Sequence, residues 1–198
     1  DGSSYDYTGS AITPEYTFTY HDVEIKSSYY NATWSNNTNA GGATLTVSAT
    51  ANSPFTGSLS LGFTINALSL SNAECVGDGV PSNYSYTGAP ISPQLKINAY
   101  ELKSSDYTVT KYQTQAGKDL GTTAPTEPGN YQVLIVSSNN NIKGSATIKY
   151  SIIQRDITRD IGASFYLREG SPVEWQGRVT EPEVVCGSMK MVKGTDYE

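Results

Sequence analysis

Tyr86-Thr87-Gly88-Ala89-Pro90-Ile91-Ser92-Pro93 is the stretch that decides the fold, because the chain contains it three times. The first copy reads Tyr7-Thr8-Gly9-Ser10-Ala11-Ile12-Thr13-Pro14, 79 residues earlier (86 − 7). A weaker copy, Trp175-Gln176-Gly177-Arg178-Val179-Thr180-Glu181-Pro182, follows 89 residues later (175 − 86). In each, an aromatic precedes Gly by two and Gly precedes Pro by five. Recurrence of one motif at such similar spacings marks a repeat architecture. Glycine at the shared position suits a turn that needs positive φ. Ile12, Ile91 and Val179 then face a core, and Pro14, Pro93 and Pro182 fall at an edge or bulge, where a missing N–H does little harm.

A second element trails each first one. It reads Lys26-Ser27-Ser28-Tyr29-Tyr30, Lys103-Ser104-Ser105-Asp106-Tyr107 and Lys193-Gly194-Thr195-Asp196-Tyr197. Polar residues make a turn, and the closing Tyr opens a strand. Two further elements occur twice. Ala43, Leu45 and Val47 alternate with Thr and Ser, as do Tyr131, Val133 and Ile135 with their neighbours. Leu59, Leu61, Phe63 and Ile65 follow Gly57, and Ala146, Ile148, Tyr150 and Ile152 follow Gly144. Strict alternation predicts strands with one buried and one wet face, paired antiparallel and packed face to face. Leu59 should correspond to Ala146 and Phe63 to Tyr150, in one core layer.

Composition agrees. Tyr numbers 15 against Phe 4, only 16% of residues are charged, and helix-forming stretches are absent. The expected fold is all-β: tandem immunoglobulin-like antiparallel β-sandwiches, the C-terminal one incomplete. The divisions fall at 1–67, 68–154 and 155–198. All four arginines and both methionines lie after residue 154. No long linker separates the copies, since Leu68-Ser69-Leu70 runs straight on from one strand and Arg155-Asp156-Ile157 from another. The copies should follow one another as a semi-rigid rod.

The net charge is −6, from 13 basic and 19 acidic residues. Phosphate contacts need Lys and Arg, so nucleic acid is a poor partner. No apolar run approaches the roughly 20 residues of a membrane helix. One His and two Cys exclude a His-rich or Cys-rich metal site. His21 has no neighbouring ligand or nucleophile and reads as a hairpin tip. Gly77-Asp78-Gly79 resembles a fragment of a calcium loop, but no fuller series of oxygen ligands follows. Cys75 and Cys186 lie in different copies and read as free thiols. No cofactor and no enzyme activity are expected.

Taken together, Tyr-Thr-Gly-x-x-Ile-x-Pro, Lys-(Ser/Gly)-(Ser/Thr)-Asp-Tyr, and Asn39-Ala40-Gly41 before an alternating strand resemble the tandem immunoglobulin-like repeats of bacterial cell-surface proteins. Copy two departs from the last element with Glu127-Pro128-Gly129. The resemblance implies an exported, extracellular or surface location and no catalytic residues. It implies a structural spacer that presents other domains away from the cell. The alternative is an adhesin-type module for carbohydrate or host glycoprotein.

For that alternative the contact residues would be Trp34, beside the polar run Ser35-Asn36-Asn37, and Gln113, Lys118 and Asp119. The last three belong to an insertion of copy two, Gln113 to Glu127, read as a long surface loop. Trp175 and the tyrosines Tyr30, Tyr107 and Tyr197 read instead as core rings with hydroxyls tied to backbone. The incomplete third copy should leave apolar groups and strand edges uncovered, a template for self-association.

Overall fold

A computed structural model describes residues 2–156, 163–166, 183–186 and 189–196. Among the described residues the fold is all-β, with short 3₁₀ turns between strands that form several sheets packed as successive sandwich-like units.

Unit one contains β1 (Ser4–Asp6), β2 (Thr19–Tyr20), β3 (Val23–Glu24), β4 (Tyr30–Ser35), β5 (Gly41–Ala49) and β6 (Ser58–Asn66). Its main sheet has the order β1-β6-β5-β4. Alternation works as predicted on β5: Ala43, Leu45 and Val47 are buried and the intervening Thr and Ser are not. The second layer is the hairpin β2-β3. Its tip is His21-Asp22, both at positive φ (45° and 63°), the geometry a two-residue turn needs to match strand twist.

Unit two begins with β7 (Leu68–Ser69), separated from β6 by Ala67 alone. It continues through β8 (Glu74–Cys75), β9 (Asn83–Ser85), β10 (Leu95–Ile97), β11 (Tyr100–Glu101), β12 (Tyr107–Thr114), β13 (Asp119–Gly121), β14 (Gly129–Ser137), β15 (Ile142–Lys143) and β16 (Ser145–Ile153). The main sheet has the order β13-β12-β14-β16-β9, and the sheet β11-β10-β8 forms the second layer. Leu70, Cys75, Leu95 and Ile97 pack with Val133, Ile135, Ile148 and Tyr150 into one core. The Cys75 thiol is free and lies 3.6 Å from the Lys149 carbonyl; burial pushes its pKa up.

The two main sheets share one register. Phe63 faces Ala43 across β5–β6 as Tyr150 faces Tyr131 across β14–β16, and Leu59 faces Val47 as Ala146 faces Ile135. Phe63 and Tyr150 are both buried. The sheets are not purely antiparallel. β1 joins β6, β9 joins β16 and β7 joins β15 in parallel. The motif begins where the parallel strand ends: Tyr7 N–H donates to the Asn66 carbonyl at 3.0 Å, and Tyr86 N–H to that of Ile153 at 2.9 Å.

In the third copy, β17 (Ala163–Tyr166), β18 (Glu183–Cys186) and β19 (Met189–Lys190) form a sheet ordered β17-β18-β19. It reproduces β8-β10-β11. Met191 N–H donates to the Val184 carbonyl at 2.8 Å as Leu102 N–H does to that of Leu95 at 2.9 Å. Trp175, Gly177, Val179 and Pro182 lie outside the described residues, as do Tyr197 and the side chain of Cys186.

The units differ in how well the second layer covers the first. Ile148 is 8% exposed, while its counterpart Leu61 is 43% exposed and Leu59 65%. Ile135→Ala should therefore cost about 3 kcal/mol, by lost transfer energy and a residual cavity. Leu59→Ala should change stability by less than about 0.5 kcal/mol. Urea unfolding of both variants checks this, and similar costs would contradict the assigned layers.

Candidate functional site

Three places in the described residues carry chemistry beyond core packing: a ring cluster on unit one, the β12–β13 arm, and the joint between the units.

The ring cluster holds Trp34. Its indole is half-buried and stands edge-on to Phe63 (centroids 5.8 Å, 82°) and to Tyr16 (6.0 Å, 72°). Tyr16 continues to Tyr30 (6.5 Å, 64°), Tyr30 to Phe18 (5.2 Å, 82°), and Tyr20 meets Phe55 (5.4 Å, 62°). Edge-to-face contact is the arrangement aromatic quadrupoles prefer. Each of these contacts is edge-on, so no contacting pair in the cluster is stacked face to face. Next to it lies an apolar cleft of about 290 Å³ lined by Phe18–Tyr20, Val47, Phe55 and Leu59 among others.

The insertion of unit two is ordered as an arm. Tyr112 pairs with Gly121 and Gln113 with Asp119, so β13 extends the edge of the main sheet where a loop was expected. Gln113 is half-buried in β12, and Lys118 and Asp119 are exposed. Asp119 accepts the Gly121 N–H at 2.8 Å and an ion pair from Lys111 Nζ at 3.2 Å. These two contacts, the backbone one first, hold its carboxyl below the usual aspartate pKa. Gln113, Lys118 and Asp119 thus share one arm, while Trp34 belongs to the other unit.

The joint is built on Tyr100. Its ring packs edge-on against Tyr7 of unit one (5.2 Å, 63°). Gly9 sits beside it at φ +80°, and a Cβ there would lie 2.7 Å from Tyr100 Cε2. Glycine is required twice over, for φ and for space. The Tyr100 hydroxyl donates to Asp106 Oδ2 at 3.0 Å. The same carboxylate takes the Lys103 N–H at 2.8 Å, and Asn139 Nδ2 donates to Oδ1 at 2.8 Å. Asp106 is the buried polar residue of the described core, at 3% exposure. Burial, with Tyr7 and Asp106 nearby, raises the Tyr100 pKa. Polar clasps flank the rings. Ala40 N–H donates to Asn141 Oδ1 at 2.8 Å, Asn141 Nδ2 to Asn39 Oδ1 at 3.1 Å, and Leu68 N–H to the Asn141 carbonyl at 2.9 Å.

The arrangement recurs one unit on. Gly88, the counterpart of Gly9, has φ +76°, and a Cβ there would lie 2.6 Å from Met189 Sδ. Met189 is the hairpin counterpart of Tyr100, since Cys186 faces Met189 as Ile97 faces Tyr100. Asp196 again captures a turn, accepting the Val192 N–H at 2.7 Å.

Other acidic residues singled out by sequence have backbone duties. Asp78 Oδ2 accepts the Ser85 N–H at 2.8 Å. No cluster of three or more His, Cys, Asp or Glu able to hold a metal occurs among the described residues. The joint was missed in sequence. Its only signal was that Asp recurs in the Lys-x-x-Asp-Tyr turn, and unit one breaks even that with Tyr29.

No protein-family model matches the chain, and no curated protein does. A solved structure described as the titin domains Z1Z2 in complex with telethonin matches at 11% identity. It covers 78% of this chain and 93% of its own, at a TM-score of 0.20, a likeness too slight to bear on the fold or the site.

Two outcomes are expected. Asp106→Ala should cost about 2–3 kcal/mol in urea unfolding, because it strands three part-buried donors. Asp119 should titrate below an ordinary aspartate in ¹³C-detected NMR. A depressed pKa means its stabilisation is present above the unfolded value and is lost as pH falls through the folded one. Lys111→Ala should move that titration only part of the way back, since the Gly121 N–H remains.

Proposed function

We propose that this chain is a non-catalytic spacing segment of a bacterial surface or secreted protein, holding other domains at a distance from the cell. The observation that carries this reading is the joint. Adjoining domains move relative to one another unless their contact locks them. Here one residue separates β6 from β7, and Tyr7, Gly9, Asn39 and Ala40 of unit one all engage Tyr100 or Asn141 of unit two. The Gly88–Met189 contact repeats the device, as an extended array requires. The surface location follows from the motif resemblance described above.

An adhesin-type role toward carbohydrate or host glycoprotein would place its contacts on Trp34 or on the arm with Gln113, Lys118 and Asp119. The angled rings around Trp34 give that role less support than the joint gives a spacer. Self-association through the third copy stays part of the proposal. Light scattering on the full chain and on one ending at Gln154 tests it, the full chain alone being the larger species.

The spacer reading predicts a fixed separation between units. With spin labels at Ser60 and Lys149, in a background with Cys75 and Cys186 replaced by Ala, dipolar spectroscopy should give one narrow distance distribution. Gly9→Ala should at least double its width. A broad distribution in the parent would reject the reading.

A further inference from the structure

The cleft of unit one is one strand short of the sandwich that unit two completes. In unit two, β8 pairs antiparallel with β10, Cys75 facing Leu95 and Glu74 facing Lys96. The hairpins of the two units correspond residue by residue. Ile25 N–H donates to the Phe18 carbonyl at 2.8 Å as Leu102 N–H does to that of Leu95, and Tyr20 faces Val23 as Ile97 faces Tyr100. Phe18 and Thr19 therefore stand where Leu95 and Lys96 present their edge to β8. Among the described residues β2 has a strand partner on one side only, β3.

The core face tells the same story. Leu68, Leu70 and Cys75 are 6%, 0% and 5% exposed in unit two, where they share one core cluster with Ile148 of β16 and Ala146 packs against it. The matching residues of unit one, Leu59 and Leu61, are 65% and 43% exposed. β7 also pairs in parallel with Ile142, whose counterpart two residues ahead of the strand-leading Gly is Phe55. Phe55 lines the cleft.

We infer that the Phe18–Tyr20 edge and the Leu59–Leu61 face of unit one form a docking groove for one donated segment of the chemistry and shape of Leu68–Cys75, two short strands joined by the 3₁₀ turn Leu70–Asn72. That segment carries two leucines two places apart, at the first short strand and the start of the turn, and a small apolar residue five places after the second. Its last two residues add antiparallel to β2, as Glu74–Cys75 add to β10, and its leucines cover Leu59 and Leu61. The donor is the run-on strand of another repeat unit. In this fold the covering strand continues directly from the unit before, as Leu68 follows Asn66 with one residue between. Strand addition of this kind draws affinity from main-chain bonds and specificity from alternate side-chain pockets. A second copy of this chain offers a poorer strand. Ser164 faces Val185 as Glu74 faces Lys96, a 90-residue offset that puts Thr158 and Asp160 in sequence where unit two has Leu68 and Leu70.

The probe is a labelled nine-residue peptide with the sequence of residues 68–76, Cys75 replaced by Ala, titrated against the full chain by fluorescence anisotropy. Saturable binding below 1 mM is expected. Amide exchange should slow along Phe18–Tyr20, and the thermal midpoint should rise by about 5 °C or more at saturation. A peptide with both leucines changed to Asp, and a chain with Leu61→Asp, should each bind at least tenfold more weakly. Ser60→Asp, on the opposite face of the same strand, should bind as the parent does. Absence of saturation by 1 mM, or equal binding of the Asp peptide, would overturn the inference. So would a dimer of the free chain at micromolar concentration that Leu61→Asp abolishes, because the groove would then belong to a second copy. Rejection of the donated strand would leave the Tyr100 joint intact, and a mobile joint would leave the groove intact.

Discussion

Tyr100 acts on both units at once. Its hydroxyl is committed to Asp106, which fixes the turn that launches β12, the strand paired along most of its length with β14. Its ring is thereby held against Tyr7 and over Gly9. The hydrogen bond sets where the ring lies, and the ring sets where unit one lies. A buried carboxylate is costly unless its acceptor sites are satisfied. Asp106 accepts from a hydroxyl, a backbone N–H and a carboxamide, so the turn, the β11 edge and the loop carrying Asn139 are tied to one group. The same loop carries Asn141, which clasps unit one. Turn, loop and joint are one connected polar structure resting against an apolar sandwich.

The two sandwiches use that structure differently. Unit two surrounds its core with two full layers, and Val133, Ile135 and Ile142 are each 1% exposed. Unit one relies on a ladder of edge-on rings, whereas unit two packs aliphatic residues around the buried rings of Tyr84, Tyr131 and Tyr150. Aromatic rings are wide enough to bridge a thin second layer, which is why Tyr16, Phe18, Tyr30 and Trp34 gather there. What they leave bare is the end of β6 that a further strand would cover.

Much of this was legible in the sequence where it depends on local rules. The alternation at Ala43–Val47 and Tyr131–Ile135 placed both central strands, because period two on a half-buried sheet is imposed residue by residue. Gly9 and Gly88 read as positive-φ positions, which they are. Their second duty, making room for Tyr100 and Met189, depends on residues 91 and 101 positions away (100 − 9 and 189 − 88) and leaves no local trace. The Gln113–Glu127 insertion read as a loop because its turn residues hide the short pairing of Asp119–Gly121 to β12, which tertiary context supplies. Trp34 looked exposed beside its polar neighbours. Alternation turns it inward from Thr33 and Ser35 onto Phe63.

The central claim is that Tyr100 and Gly9 lock two sandwiches into one body. Backbone amide residual dipolar couplings, measured on the full chain in a weakly aligned medium, test this most directly. A single alignment tensor should fit the couplings of residues 2–66 and 68–153 together, with the units oriented as Tyr7 against Tyr100 requires. Two tensors of clearly different magnitude would mean that the units reorient independently, and the account would be wrong.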